Sequence, residues 1–516
     1  MSRPAGPQPA SADGGSTVRE TAHEIVERAL GLSKADGCVV IATESSAVNL
    51  RWANNTLTTN GASRDRSITV ISVIGRSFGV RTASTIDSPG SGGHPTARPT
   101  DLPHPTDADG LAELVRAAED AARDAEDAED YTDLLGLDTT DVGAGAGSAG
   151  AGSAGAGSAG DAAEAFTDPA ARTSTTVFAS FARDLAEAFA AARAGGRRLF
   201  GFAEHNLTTT WLGTSTGLRL RYSQPTGSVE WNAKSGVPGG SVWHGQSTRD
   251  FTDVDVAGTD AALRDRLAWC ERSLELPAGR YETLLPPSAV ADLMIYMYWT
   301  AAGRDAAEGR TVFSRAGGGT RLGEAIGPAG LRLASDPHDP ELATTPFVTA
   351  QSSSSMSSVF DNGLALRPTD WISDGTLAAL VETRASARAT GVPTTPMIDN
   401  LILDGGGSAS LQEMIASTKR GLLLTSLWYI REVDPEVLLL TGLTRDGVYL
   451  VENGEVTGAV NNFRFNESPV DLLGRLAEIG ATTRTMAREW ADWFTLTRMP
   501  AVRIPDFNMS SVSPAN

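Results

Sequence analysis

The sequence predicts an α+β protein, and two patterns lead to that class. Between residues 425 and 473, apolar runs are separated by Asp434-Pro435, Arg445-Asp446-Gly447 and Glu452-Asn453-Gly454. Asp-Gly and Asn-Gly between apolar runs are the strongest short-range signals of a β-hairpin. Elsewhere, short strand-like runs are grouped between amphipathic helical stretches, as in sheets that helices cover. At 516 residues, the chain is long enough for several domains, each with its own core.

The first folded unit is predicted as a small N-terminal α/β domain over residues 17–86. A Pro-, Gly- and Ser-rich tail over residues 1–16 precedes it, and we expect this tail to be disordered. A helix is predicted over residues 17–32, where apolar residues recur on one face. Strand-like runs follow, the last two forming a hairpin about Gly75-Arg76: 38–42, 47–52, 68–74 and 77–82.

The second unit, residues 87–276, is predicted as a middle domain in which helices accompany an antiparallel sheet. The stretch 143–160, GAGAGSAGAGSAGAGSAG, consists of small residues that bury too little surface to fold, so it is predicted as a flexible insertion. Helices are predicted over 111–128, 174–194 and 262–274, and strands over 199–203, 207–212, 218–223 and 227–233.

The third and largest unit, residues 277–516, is predicted to be rich in short strands. It opens with a strand over 281–285 and a helix over 288–303. Apolar side chains surround this helix on nearly all sides, which is typical of a buried helix. Further helices are predicted over 411–418, 470–479 and 485–493.

Composition excludes several classes of partner. The chain has 43 basic and 63 acidic residues and a net charge of -20, whereas nucleic-acid binding needs a basic face. No apolar run is long enough to span a membrane, and the first residues lack the apolar stretch of a signal peptide. Two cysteines, Cys38 and Cys270, do not make a disulfide framework. We therefore expect a cytoplasmic protein that binds neither nucleic acid nor membrane, and the acidic, Ala-, Gly- and Arg-rich composition suggests a bacterial source.

The histidines form no recognisable metal motif. A zinc helix of the HExxH type needs a second histidine one turn after the first, but His23-Glu24 has Glu27 at that position. His205, His244 and His338 are isolated in the sequence, so only the folded chain could gather them into one site.

Several short motifs occur in the order found in the TldD/PmbA family, the modulator-of-gyrase metallopeptidases, which the chain resembles over most of residues 20–510. They are Asn54-Asn55-Thr56-Leu57, Phe78-Gly79-Val80-Arg81, Pro277-Ala278-Gly279-Arg280-Tyr281, Gly309-Arg310-Thr311-Val312-Phe313-Ser314, Asp336-Pro337, Phe360-Asp361-Asn362-Gly363, Ser386-Ala387-Arg388-Ala389-Thr390-Gly391 and the hairpins of 425–473. Each motif alone is weak, and their order carries the resemblance. It implies a C-terminal domain of the TldD/PmbA type.

One kind of subunit in this family carries a zinc-binding HExxxH motif, and the other kind lacks it and pairs with the first. Counting back from Phe313 places that motif on residues 294–299, with Met294 and Trp299 at the histidine positions and Ile295 at the glutamate position. The family's late cysteine ligand is also missing, because no cysteine follows Cys270. The resemblance therefore implies a TldE/PmbA-like chain without catalytic or metal-binding residues, whose TldD-type partner binds the zinc.

The same resemblance implies a heterodimer that encloses unfolded peptides and degrades or processes them. Holding an extended peptide through its main chain would make such binding tolerant of sequence. Candidate peptide-contacting residues are Trp299, Trp428, Tyr429, Asn461, Asn462, Phe463 and Asn466. The run 461–466 can also be interpreted as a capped loop before a helix at Pro469. Two other functions stay open: a stand-alone metallopeptidase with a zinc site of dispersed histidines, and a non-enzymatic peptide-binding module in peptide maturation.

Overall fold

The computed structural model of the protein describes residues 20–87, 108–137, 166–237 and 240–514. The predicted tail (1–16) and the predicted insertion (143–160) lie outside these residues. The described chain combines helices with two sheets, which confirms the predicted α+β class. Across the described ranges, no helix is both long enough and apolar enough to cross a membrane.

The described N-terminal half forms a six-stranded sheet that is antiparallel throughout, in the order β3-β2-β1-β4-β5-β6. Its strands are β1 (Gly37–Ala53), β2 (Thr56–Ile74), β3 (Ser77–Asp87), β4 (Arg198–Thr214), β5 (Arg219–Lys234) and β6 (Ser241–Thr248). The hairpin predicted about Gly75-Arg76 is formed by β2 and β3. Because β1 is hydrogen-bonded to β4 from Val39 to Trp52, the units predicted over 17–86 and 87–276 share one sheet.

Helices cover this sheet: α1 (Ala22–Leu32), α2 (Ala108–Asp124), α3 (Ala179–Ala194) and α4 (Val256–Trp269). Helix α1 begins five residues later than predicted, where the Glu24 carboxylate accepts a hydrogen bond from the N–H of Thr21 (2.8 Å). Such a contact satisfies a backbone donor that the first turn leaves without a helical partner. Ile25 and Val26 are fully buried and belong to the core that also contains Val40 and Ile68 of the sheet.

The C-terminal half is a second, branched sheet of short strands. They are β7 (Ser273–Leu274), β8 (Gly279–Leu285), β9 (Arg332–Ser335), β10 (Thr369–Ser373), β11 (Thr376–Leu377), β12 (Leu401–Asp404), β13 (Arg420–Leu424), β14 (Leu427–Asp434), β15 (Leu439–Thr444), β16 (Val448–Glu452), β17 (Glu455–Val460), β18 (Phe463–Glu467), β19 (Glu478–Thr485) and β20 (Thr497–Val512). The long strand β20 connects the branches, because it pairs with β8, β12, β18 and β19. The hairpins predicted within 425–473 correspond to β14 to β17.

The helices of this half are α5 (Pro287–Trp299), α6 (Gly303–Ala307), α7 (Arg384–Thr390), α8 (Leu411–Ser417) and α9 (Pro469–Leu473). Helix α5 lies in the largest hydrophobic core, and Leu293, Met294 and Ile295 are each at most 1% exposed. The burial predicted for this helix is thus confirmed. It packs against β20, β19, β8 and α9.

One predicted helix is wrong. Residues 485–493 contain the end of β19 and then turns, with no helix. The N–H of Glu489 and the indole N–H of Trp490 both donate to Asp292 of α5, so a tertiary partner holds this segment, and a helical hydrogen bond forms only at its end, from the N–H of Phe494 to the carbonyl of Trp490 (2.9 Å). The helix predicted over 470–479 is also shorter, since α9 ends at Leu473 and β19 begins at Glu478.

A second core joins the two sheets. It contains Trp231 and Val242 from the N-terminal sheet together with Leu423 and Tyr449 from the C-terminal sheet. All four side chains are at most 1% exposed. Continuous apolar packing of this kind, which removes side chains of both sheets from water, fixes their relative position.

Replacing Gly79 by alanine should destabilise the fold, because a Cβ there would lie 2.3 Å from the backbone oxygen of Ala118 in α2. We expect a loss of about 1–3 kcal/mol in the free energy of unfolding, as for other overpacked sites. The control is Gly31→Ala in α1, where a Cβ meets nothing within 4 Å and a gain of up to about 1 kcal/mol is expected. Urea unfolding measures both, and equal stability of the two variants would contradict the close packing of α2 on β3.

Candidate functional site

Helix α5 carries the positions that the family resemblance aligns with a zinc motif. Met294 and Ile295 are buried in the core, and Trp299, the last residue of the helix, packs its ring 5.2 Å from that of Trp490. Zinc sites are built from imidazole, thiolate and carboxylate groups. A thioether, an alkyl group and an indole in a packed core do not fit such a site, so no catalytic step can be derived through a metal at this place.

Asp292 is the charged residue of α5, and its side chain is completely buried. One carboxylate oxygen accepts a hydrogen bond from the N–H of Glu489 (2.8 Å), and the backbone oxygen of Asp292 accepts one from the indole of Trp490 (2.9 Å). The other carboxylate oxygen, Oδ2, has no hydrogen-bond partner among the described residues. Burial raises the pKa of Asp292 well above its ordinary value, and the nearby Glu489 carboxylate adds to this effect. Asp292 therefore joins the central helix to the segment 488–490.

The Glu489 carboxylate holds a bulge in strand β14. It accepts hydrogen bonds from the N–H groups of Tyr429 (3.0 Å) and Ile430 (3.2 Å) and from the guanidinium of Arg431 (3.1 Å). The pairing of β14 with β15 shifts register here, and Tyr429 has a φ of 52°. A bulky residue in the left-handed region is uncommon and persists only when its surroundings hold it. The bulge leaves the Tyr429 side chain 55% exposed.

Arg488 connects β14 with the N-terminal sheet. Its guanidinium lies 5.1 Å from the ring centroid of Trp428 and 5.2 Å from that of Trp243 on β6. It also donates hydrogen bonds to the hydroxyl of Ser426 and to the carboxylate of Asp446. Cation–π contacts of this kind are strengthened by burial, and the Arg488 side chain is only 9% exposed.

Two cavities lie between the sheets beside Arg488, and we call them the paired cavities. Their volumes are about 530 Å³ and 490 Å³, and they share four lining residues: Lys234, Ser241, Arg445 and Asp446. Trp428 and Tyr429 line the first cavity, and Asn461 and Asn462 line the second. The fold thus brings four of the predicted contact residues to two adjoining cavities, which together are called the groove below.

The asparagine side chains in and near this groove mainly hold the chain in place. Asn461 Oδ1 accepts a hydrogen bond from the N–H of Leu276 (2.7 Å), and Asn462 Oδ1 accepts one from the Thr444 hydroxyl (3.2 Å). Asn466 lies elsewhere, in a cavity of about 800 Å³, where its Oδ1 accepts from the Thr441 hydroxyl (2.9 Å). The capped-loop interpretation of residues 461–466 is wrong, because residues 463–466 belong to strand β18, and the cap of the helix at Pro469 is the Ser468 hydroxyl, which accepts from the N–H of Asp471 (3.4 Å).

Two further predicted contact residues do not reach the paired cavities. Phe463 is fully buried in the large core. Trp299 lies at the margin of that core, against Trp490 and Phe494. Trp428 and Tyr429 are therefore the predicted residues whose side chains are best placed to meet a ligand.

The groove also contains residues that the sequence did not point to. Lys234 and Ser241 come from the N-terminal sheet, and Arg488 comes from the segment predicted as a helix. Their contribution depends on how the two sheets pack, and no local sequence pattern signals that packing.

The dispersed histidines do not come together with other metal ligands. In the described ranges, no group of three or more His, Cys, Asp and Glu side chains could hold a metal ion. His205 is buried on β4, with ring nitrogens 2.7 Å from the Thr173 hydroxyl and 2.9 Å from the backbone oxygen of Arg249. His244 lines a separate cavity and His338 is exposed.

Comparison with known proteins identifies relatives of this architecture. Residues 278–511 match the family model of the PmbA/TldA metallopeptidase C-terminal domain. No curated protein matches the sequence. The family resemblance predicted for the C-terminal unit is thereby confirmed.

Three solved structures show the same fold. TldE from Thermococcus kodakarensis has a TM-score of 0.70 and 14% identity, over 94% of this chain and 98% of its own. A Thermotoga maritima protein described as a modulator of a DNA gyrase has a TM-score of 0.70 and 16% identity, over 95% and 100%. A Bacteroides thetaiotaomicron protein described in the same way has a TM-score of 0.69 and 14% identity, over 95% and 98%.

Replacing Asp292 by asparagine tests the buried carboxyl. Because the folded protein raises the pKa of Asp292 above its ordinary value of 3.8, the unfolded chain releases this proton first as the pH rises through that value. The wild type should therefore lose stability relative to Asp292→Asn as the pH increases from about 4 to 8. Thermal unfolding across this range measures the difference, and a difference that does not change with pH would contradict the raised pKa.

Proposed function

This chain belongs to the TldD/PmbA family through its C-terminal domain, and from that premise we propose that it is the zinc-less subunit of a two-chain peptidase. In this proposal the chain holds unfolded peptides, and a TldD-type partner with an HExxxH motif binds zinc and cleaves them. Both cysteines are buried free thiols, which supports a cytoplasmic site of action.

The observation that carries the proposal is the chemistry of helix α5. The family resemblance places Met294, Ile295 and Trp299 where zinc-bearing subunits have ligands and a general base, and in this structure the first two side chains are packed in the core. A metallopeptidase needs three protein ligands and a group that activates water. The side chains at that place include neither, which supports the proposal that a partner supplies the chemistry.

The paired cavities support a peptide-holding role. Strand β6 pairs only with β5 in the described chain, so it presents an unpaired edge near the groove, whereas the N–H groups of Tyr429 and Ile430 in β14 are already bonded to Glu489. An extended peptide can add to such an edge through main-chain hydrogen bonds, which do not depend on side-chain identity. The exposed ring of Tyr429 and the ring of Trp428 add apolar contact area at the same place.

Reconstitution tests the proposal directly. The chain is mixed with a family member that carries HExxxH, and digestion of unfolded casein is measured for each chain alone and for the mixture. We expect co-purification of the two chains and hydrolysis only in the mixture. Hydrolysis by this chain alone, together with stoichiometric zinc, would establish the stand-alone metallopeptidase instead. Peptide binding without hydrolysis in any mixture would favour the non-enzymatic module.

Truncation of Tyr429 tests the groove. Tyr429→Ala should raise the KM of the reconstituted pair for peptide about tenfold, equivalent to about 1.4 kcal/mol of binding, with kcat nearly unchanged. The matched control is Trp493→Ala, because Trp493 is 79% exposed and lines neither of the paired cavities. Equal KM values for the two variants would remove Tyr429 from the peptide site.

A further inference from the structure

A third cavity, of about 330 Å³, opens along strand β6, and we call it the β6 cavity. It shares no lining residue with the paired cavities. Its walls are Trp243, His244, Gly245, Gln246, Ser247, Arg266, Pro286, Pro287, Ser288, Leu411, Thr425, Thr483, Arg484 and Thr485. None of these described residues is acidic, although the chain carries a net charge of -20. Two lining side chains are bonded to carboxylates outside the lining, Arg484 to Asp253 (2.7 Å) and the Trp243 indole to Glu230 (2.9 Å). The positive charge left without a carboxylate is that of Arg266, and it favours an anionic ligand.

Arg266 of α4 provides an incompletely paired positive charge in this cavity. Its guanidinium donates one hydrogen bond, to the backbone oxygen of Trp243 (3.0 Å), and forms no ion pair with any carboxylate of the described residues. Burial lowers the pKa of Arg266, which reflects the cost of a charge removed from water without an anion beside it. Arginine has five N–H donors in a planar fork that matches a carboxylate, so most of this binding capacity is unused.

The N-terminus of helix α5 faces the same cavity through Pro286, Pro287 and Ser288. No side chain caps this end of the 13-residue helix. The N–H groups of Ala289 and Val290 both donate to the backbone oxygen of Pro286, and Pro287 has no N–H to donate. The N–H of Ser288 is therefore the first amide open to a ligand, at the positive end of the helix dipole.

A third, independent feature is a set of donors without partners. Ser247 is 1% exposed, and neither its hydroxyl nor the Nε of Arg484 has a hydrogen-bond partner in the described chain. Buried polar groups of this kind are uncommon. Because Arg484 is already paired with Asp253 through another nitrogen, the Ser247 hydroxyl is the donor here with no bond of its side chain inside the described chain. The ring of His244 also makes no hydrogen bond there, and burial, with Arg266 next in importance, lowers the pKa of His244 to about 4. At neutral pH this ring is uncharged and can donate one N–H.

We propose that the β6 cavity binds the C-terminal carboxylate of an extended peptide. The carboxylate oxygens would accept hydrogen bonds from Arg266, the Ser288 N–H and the Ser247 hydroxyl. The preceding peptide backbone would lie along the unpaired edge of β6, and Trp243 and Leu411 supply the apolar part of the wall. Capture of a carboxylate and addition to a strand edge are two established modes of peptide recognition. The inference rests on the peptide-holding role proposed above, and it adds which end of the peptide this chain binds.

Calorimetric titration of the purified chain tests the ligand. The probes are acetyl-trialanine with a free carboxylate, the same peptide as its C-terminal amide, and inorganic phosphate. We expect the free carboxylate to bind at least about tenfold more tightly than the amide and than phosphate. Equal affinities for the two peptides would overturn the proposal. Phosphate binding as tight as that of the peptide would show a general anion site and would also overturn it.

Two variants and a control test the residues. Arg266→Gln should abolish the preference for the free carboxylate, whereas Arg264→Gln should keep it, because Arg264 is exposed on the same helix beside Asp265.

Ser247→Ala should weaken carboxylate binding severalfold and keep or raise the Tm, because it removes a buried hydroxyl that has no partner. A lower Tm for Ser247→Ala with unchanged affinity would make this residue structural only and overturn its assignment.

The titration and the digestion assay can fail separately. Carboxylate preference is measured on this chain alone, so it can be present when no zinc-bearing partner gives hydrolysis. Hydrolysis by the mixture without a preference for the free carboxylate would support the proposal of a zinc-less subunit. It would also show that the β6 cavity does not bind the peptide.

Discussion

The C-terminal domain depends on the burial of helix α5. Its side chains are apolar on nearly every face, so water is excluded from them only if other elements surround the helix. Strands β8, β19 and β20 and helix α9 do so. The one charged residue of the helix, Asp292, is tolerated in this core because the segment 488–490 contributes hydrogen bonds to it. The packing of the helix thus determines where that segment lies.

The segment 488–490 connects the buried helix α5 to residues at the surface. Glu489 is bonded to Asp292 on one side and to the bulge at Tyr429 on the other, and Arg488 lies against Trp428 and Trp243 of the two sheets. A binding surface is effective when its side chains are held by supporting contacts and do not have to be ordered by the ligand. In this fold the contacts that support the groove run through Glu489 to Asp292 in the core. The shape of the groove between the sheets therefore depends on how α5 is packed.

The local patterns of the sequence predicted many of the elements, and the contacts between distant segments account for the failures. Hairpin turns and a helix with apolar side chains on nearly all sides are local signals, and they predict β14 to β17 and α5. The separation of residues 17–86 from 87–276 did not anticipate that β1 pairs with β4, since that pairing joins strands about 160 residues apart. The helix predicted over 485–493 fails for a related reason, because its backbone and indole donors are bonded to Asp292. The aromatic pair Trp428-Tyr429 could be singled out from sequence, but Lys234, Ser241 and Arg488 could not, because only the packing of the two sheets brings them there.

The apolar helix also limits what evolution can do with this chain. An imidazole at position 294 would bury a polar ring without a partner, at a cost of about 1–3 kcal/mol, before any metal could bind. An imidazole at position 299 would remove the indole that packs against Trp490. A metal ion binds tightly only when all of its ligands are present. A single substitution that introduces one ligand therefore lowers the stability of the fold without creating a metal site. Histidines at these two positions would therefore require other side chains around α5 to change with them, because the present packing leaves them neither space nor hydrogen-bond partners.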